Sequence, residues 1–263
     1  MLEARRLTKS YSGIPAVKEV SFQIRRGEVL GYLGPNGSGK STTVKMLTGL
    51  MDPDHGHVLL DGADIRGDLP GYKRRLGYVP EEPNLYPYLS GAEYLMLVGG
   101  LRGMDRNALR EKIDRLMRLF SLYTSRLAPM VSYSKGMRQR VLIMAALLHD
   151  PDVLIFDEPL SGLDVTSAAV FRNLVHELAA SGKVIVYCSH VLEVVEKVCT
   201  HVLVLNRGVC VAHDSIESIR GTADYRSLEQ SFATLVNEPD TQAIAAEIVE
   251  CISSHAGHTA AAR

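Results

Sequence analysis

The sequence predicts an α/β protein: a parallel-sheet core, a small antiparallel β subdomain beside it, and an inserted helical subdomain. Three observations carry this. Short continuous apolar runs occur at 28–33 (EVLGYL), 153–156 (VLIF) and 184–188 (VIVYC). Runs of that length without polar alternation fit strands buried on both faces, as in a parallel sheet covered by helices. Helical periodicity separates the runs, at 42–50 and at 167–180, where Val170, Phe171, Leu174, Val175 and Leu178 fall on one face. Each run also ends in glycine, acid or Ser-His, where open α/β sheets place ligands.

The remaining elements follow in chain order. Residues 1–30 alternate more, with turn signals at Ser12-Gly13 and Arg26-Gly27, and 58–60 runs into Asp61-Gly62 as a hairpin. These segments make the antiparallel sheet. Residues 85–150 form the helical subdomain, with Leu109, Ile113, Leu116, Met117 and Phe120 at helical spacing behind Asp105 as N-cap. Within it, the apolar helix VLIMAALL opens on VSYSKGMRQR (131–140). Ser134 stands where a cap would, but Met137 occupies the place where a capping box has Glu or Gln. Arg138 and Arg140 either solvate this helix or pair with acids. Past residue 215 the pattern weakens. We therefore divide the chain into 1–215 and a C-terminal helical extension and tail, 216–263, in which 241–252 fits one amphipathic helix.

Composition narrows the class of protein. The net charge of −1 provides no basic field, which argues against a nucleic-acid partner. The four cysteines form no CxxC and no zinc-finger spacing, and suit free thiols in a reducing compartment. His55-Gly-His57 lacks further ligands at metal spacing and reads as a polar turn. No run approaches the ~18 apolar residues of a membrane span, and the opening MLEARRLTKSY lacks the apolar core of a signal peptide. The chain is expected to be soluble, or peripheral through a partner.

GPNGSGKST, Gly34 to Thr42, matches G-x-x-x-x-G-K-[ST] between a strand and a helix. Gly34, Gly37 and Gly39, with Pro35, Asn36 and Ser38 between them, let backbone amides turn toward a phosphate chain at a helix N-terminus. Lys40 is placed for the β- and γ-phosphates, Ser41 for Mg²⁺ and Thr42 for the α-phosphate. In VLIFDEP, Asp157 is a second Mg²⁺ candidate, and Glu158, one residue on, is the candidate base for an attacking water. His190, at the end of the third run, is placed to sense a γ-phosphate.

The order of P-loop, SKGMRQR segment, acid-Glu strand, SGLD and Ser-His resembles the ATP-binding subunit of an ABC transporter over about residues 2–215. The resemblance implies a P-loop NTPase (RecA-like) core, ATP and Mg²⁺ as cofactors, and ATP hydrolysis. It implies that Tyr11 stacks on adenine with Val17 beside it, that SGLD (Ser161 to Asp164) crosses to an opposite subunit, and that His190 is a switch histidine. YSKGM matches the family signature, commonly LSGGQ, with Ser134 and Gly136 conforming and Lys135 and Met137 departing. In the family this segment caps the γ-phosphate held by the other subunit, so a head-to-tail dimer, homo- or heteromeric, is implied. The family glutamine that reaches Mg²⁺ is here Glu81, whose oxygens can still bind the metal.

SKGMxQR and PEEP-xLYP resemble the drug-resistance and sodium-extrusion exporter subclass, as, weakly, does a terminal helix at 227–236. A separate transmembrane permease is implied, which would hold the chain at the cytoplasmic face of the membrane. Tyr86, Tyr88 and Leu89 either face that permease or belong to the helical core. A non-transport assembly ATPase and an inactive ATP-binding regulator are the rival readings.

Overall fold

The computed structural model describes residues 1–82, 85–221, 232, 247–249 and 251–252. The chain opens with β1 (Leu2–Tyr11) and β2 (Ile14–Ile24), an antiparallel pair turned at Ser12-Gly13. Then come β3 (Val29–Leu33), α1 (Lys40–Leu47), β4 (His55–Leu60), β5 (Ala63–Asp64), α2 (Leu69–Arg74) and β6 (Leu76–Val79). The helical stretch holds α3 (Gly91–Leu101), α4 (Arg106–Leu119) and α5 (Lys135–Leu147). The chain then returns through β7 (Val153–Asp157), α6 (Val165–Ala180), β8 (Val184–Cys188), α7 (Leu192–Val198), β9 (His201–Asn206), β10 (Val209–Ser215) and α8 (Ile216–Gly221).

Two sheets result. One is antiparallel, in the order β2-β1-β4-β5. The other runs β10-β9-β3-β8-β7-β6, with every pairing parallel except β10 on β9. The three continuous apolar runs are its central strands, and their two-residue period splits them between two cores. Leu30, Tyr32, Val153, Ile155, Val184 and Val186 face α1 and the antiparallel sheet. Val29, Leu33, Leu154, Phe156, Ile185 and Tyr187 face α5, α6 and α7. All these side chains are buried. A third core, with Leu95, Leu109, Ile113, Met117 and Met144, holds the helical stretch together.

Local signals explain most boundaries. Asp105 caps α4 through the amides of Asn107 and Ala108, as its position predicts. Ser90 and Glu93 form a reciprocal capping box on α3. On α6 the buried face is Phe171, Val175 and Ala179, with Leu174 and Leu178 partly buried. Val170, expected on that face, is 54% exposed and lies at its rim. An ionic network ties the β4–β5 hairpin to the parallel sheet. Arg75 donates to Asp61 and to Asp152, each at 2.6 Å, and Arg26 reaches the same two carboxylates.

His55-Gly-His57, expected as a polar turn, instead opens strand β4, where His57 Nδ1 lies 2.7 Å from Asp64. Tyr86 and Tyr88 are exposed, whereas Leu89 packs against the helical core. The expected helix at 227–236 lies outside the described residues except for Phe232. Of 241–252, residues 247–249 and 251–252 are described, and they are helical. No helix among the described residues is long and apolar enough to cross a membrane.

Candidate active site

β3 delivers the chain to its C-terminal edge, where Gly34 to Gly39 form a loop into α1. Gly39 is the N-cap, with φ 106°, a conformation that favours glycine, and a Cβ there would collide with the Ala16 carbonyl. The first amides of α1, on Lys40, Ser41 and Thr42, have no partner within the helix. The first turn holds no acid to compete for them. Lys40 folds back over the loop, its Nζ donating to the carbonyls of Gly34 at 2.6 Å and Pro35 at 3.2 Å. An ammonium held only by carbonyls, above a helix N-terminus, is a ready anion site.

This loop walls a cleft of about 610 Å³. Gly34, Pro35, Asn36, Gly37, Gly39, Lys40, Ser41 and Thr42 line it on one side, and Glu81, Asp157, Glu158 and His190 line the other. The structure therefore brings together residues drawn from the ends of β3, β6, β7 and β8. Asp157 ends β7 and is only 7% exposed. Burial first, then the Glu81 and Glu158 carboxylates, push its carboxyl up to about 6, with Lys40 pulling the other way. An excess of acid facing one lysine at the mouth of an anion cradle suits a bound cation. Among the described residues no group of three or more His, Cys, Asp or Glu is placed to hold a metal by itself.

Glu158 has φ 47° and turns its carboxylate back over the end of β8. Its Oε1 accepts from the His190 amide at 2.9 Å and lies 2.7 Å from His190 Nδ1. Its Oε2 accepts from Ser189 Oγ at 3.2 Å. The imidazole itself is 74% exposed.

Several expectations need correction. Val17 is fully buried in the core, so its side chain has no surface to offer a base, and Ala16 lines the cleft instead. Tyr11 is half exposed at the β1–β2 turn, outside the cleft wall, with its hydroxyl 3.3 Å from Met51 Sδ. Ser38 is buried, with its amide donating to Pro35 and its carbonyl accepting from Gly208. It is part of the loop's frame rather than of the cleft lining. Ser134 does cap α5: its Oγ accepts from the Met137 amide at 3.2 Å. The donor is backbone, so the residue type at 137 does not matter to that bond. Arg138 donates to the Tyr133 carbonyl and Arg140 to the Phe120 carbonyl, so both pin the helix entry rather than pairing with acids.

Ser134, Gly136 and Asp164 do not line the cleft. They gather at a second place, where the start of α5 meets the loop into α6. Gly136 packs against Gly162, and Asp164 caps α6 through Ser167. The chain thus carries an anion cradle and, apart from it, another acid-free helix N-terminus. The sequence reading also missed residues of the cleft wall. Ala16, Leu33, Ser189, Leu192 and Phe232 line it, and buried Gln139 donates to the carbonyl of Pro159, next to Glu158.

Residues 17–161 match the family described as ABC transporter. The chain is 36% identical over 217 residues to the ABC transporter ATP-binding protein NatA of Bacillus subtilis (strain 168), covering 82% of this chain and 88% of that one. This chain belongs to the ABC transporter family. A solved ATP-binding subunit of an ABC transporter superposes on this ABC subunit with a TM-score of 0.84 at 32% identity, over 89% of this chain and 99% of that one. The dimeric post-hydrolysis structure of the cassette MJ0796, bound to ADP and Pi, gives 0.77 at 26% identity, over 82% and 99%. This ABC subunit accordingly binds ATP and is an ATPase.

Proposed function

We propose that this ATPase powers an exporter by closing head to tail around two ATPs, each held between the Lys40 cleft of one subunit and the Ser134–Gly136 helix entry of the other. The observation that carries this reading is the separation of those two features within one chain. The cleft is open on one side, and the second acid-free helix N-terminus lies elsewhere on the molecule. A second cassette offers the missing wall.

Within the cleft, Lys40 would exchange the Gly34 and Pro35 carbonyls for the β- and γ-phosphates. Ser41, Asp157 and Glu81 would hold Mg²⁺, with phosphate oxygens and water completing a shell that the chain's own carboxylates do not fill. Bound there, Mg²⁺ would neutralise charge on the transferring phosphoryl group. Glu158 would orient the attacking water and accept its proton. His190, exposed and hydrogen-bonded to Glu158, would turn to the γ-phosphate when it arrives. Loss of that phosphate would remove the bridge between subunits and reopen the dimer.

The permease is proposed to seat on the groove of about 430 Å³ that contains Leu50, Tyr78, Tyr94 and Leu101. Exposed Leu50 and Leu101 on its rim support this, with Tyr86 and Tyr88 nearby in the chain. Such seating would hold the subunit at the cytoplasmic face of the membrane. Export as the direction rests on the SKGMxQR and PEEP-xLYP resemblance.

Glu158→Gln tests the reading. It should bind ATP, abolish turnover and accumulate as an ATP-bound dimer in light scattering; wild-type turnover in this variant would remove Glu158 as the base.

A further inference from the structure

We propose that Ser189 is a positioning residue for hydrolysis: its buried hydroxyl fixes the plane of the Glu158 carboxylate. The inference rests on the reading of Glu158 as the base. All three donors to that carboxylate come from two consecutive residues. His190 serves Oε1 with its amide at 2.9 Å and its ring at 2.7 Å, and Ser189 Oγ serves Oε2 at 3.2 Å. Ser189 Oγ also accepts the Val191 amide at 3.1 Å. With a lone pair taken there, the hydroxyl proton points to Glu158.

The two side chains differ in freedom. Ser189 is 4% exposed, while the His190 side chain is 74% exposed. A ring that leaves to contact a phosphate takes its bond to Oε1 with it. The carboxylate then keeps one donor per oxygen, the His190 amide and the Ser189 hydroxyl. Without the hydroxyl a single anchor remains, and the carboxylate turns about its last side-chain torsion. The Glu158 backbone has no such freedom, because its amide donates to Cys188 and its carbonyl accepts from Ser161. Side-chain orientation is therefore what Ser189 controls, and small misplacements of a reacting group are expensive in rate.

Steady-state hydrolysis and ATP binding by full-length Ser189→Ala, Ser189→Thr and Glu158→Gln, beside wild type, test this. Ser189→Ala should lower kcat roughly ten- to hundredfold, the range of a hydrogen bond to a charged group. Its KM and ATP affinity should stay at wild-type values, its melting temperature should fall modestly because the Val191 amide also loses its acceptor, and Ser189→Thr, which keeps the hydroxyl, should recover most of kcat. The proposal is overturned by wild-type kcat in Ser189→Ala, by an effect on KM or ATP binding in place of kcat, or by Ser189→Thr as slow as Ser189→Ala. Glu158→Gln separates the two layers. If it retains turnover, the base itself is misassigned. If it is inactive while Ser189→Ala is normal, only the role of Ser189 falls.

Discussion

Gly136, in the first turn of α5, lies so close to the Gly162 carbonyl that a Cβ at 136 would collide with that oxygen. The contact is reciprocal: Gly162, at φ 78°, presents a bare Cα beneath the aliphatic stem of Lys135. The helix entry proposed to cap a partner's phosphate and the SGLD loop proposed to cross the interface are thus packed as one unit. This also gives Lys135 a structural place. It replaces the usual glycine of the family signature, and its stem covers the loop.

Gly136→Ala should therefore separate nucleotide binding from turnover. The added methyl forces the α5 entry and the 161–164 loop apart, at a cost of roughly 1–3 kcal/mol, the usual range for overpacking. A lower melting temperature, near-normal ATP affinity and reduced hydrolysis are the expected outcome, read by thermal unfolding and nucleotide titration.

Asp157→Asn should stabilise the nucleotide-free fold while removing activity. The Asp157 carboxyl is raised in the folded state from 3.8 to about 6, chiefly by burial. Its protonated form therefore favours the fold at low pH, and that contribution is lost as pH rises through about 6. At neutral pH the charged carboxylate is a burden of about 1–3 kcal/mol, the upper end being the full shift. The gain in stability on Asp157→Asn should shrink as pH is lowered below about 6. Chemical denaturation at several pH values measures it.

The same group sets a pH dependence for metal. Mg²⁺ needs the carboxylate, so Mg²⁺-dependent ATP affinity should weaken as pH falls below about 6, with protons released on binding. Calorimetry in buffers of different ionisation enthalpy counts those protons.

Asp61→Asn should weaken the junction between the two sheets. The Met1 amino group and the Arg75 guanidinium hold the Asp61 carboxyl down at about 2. A depressed folded pKa stabilises the protein above the ordinary 3.8, and that contribution is lost as pH falls through about 2. The side chain is 41% exposed, so solvent screening limits the effect to roughly 1 kcal/mol or less. The stability gap between variant and wild type should close as pH is lowered and narrow in high salt.

The strands, the loop around Lys40 and the acid pair at 157–158 were readable because each depends on local pattern: apolar runs, glycines before a lysine, carboxylates at a strand end. Asp105 was readable for the same reason. Val17 was placed by the family resemblance alone, and which of two adjacent residues faces the cleft depends on the β1–β2 register, which shifts between Leu7 and Lys9 and again between Lys9 and Ser10. Ser38 departs from expectation because its amide is taken by the Pro35 carbonyl, a bond inside the loop that the motif does not specify. Ser134 was legible in the same way as Asp105, as a serine at an N-cap position; Met137 only removes the reciprocal half of a capping box. Ser189 and Gln139 act on neighbours 31 and 20 residues away, and such contacts exist only once β7, β8 and α5 are assembled.

The central claim, that each ATP site is completed by a second cassette, is tested most directly by mixing two inactive variants. Lys40→Ala removes the cradle and keeps Ser134. Ser134→Arg keeps the cradle and blocks the helix entry. Each alone should fail to hydrolyse ATP, and Ser134→Arg should still bind it. An equimolar mixture should recover turnover, because one of the two sites in a mixed dimer joins an intact cradle to an intact entry. A mixture as inactive as its components, or full activity in Ser134→Arg alone, would contradict the account.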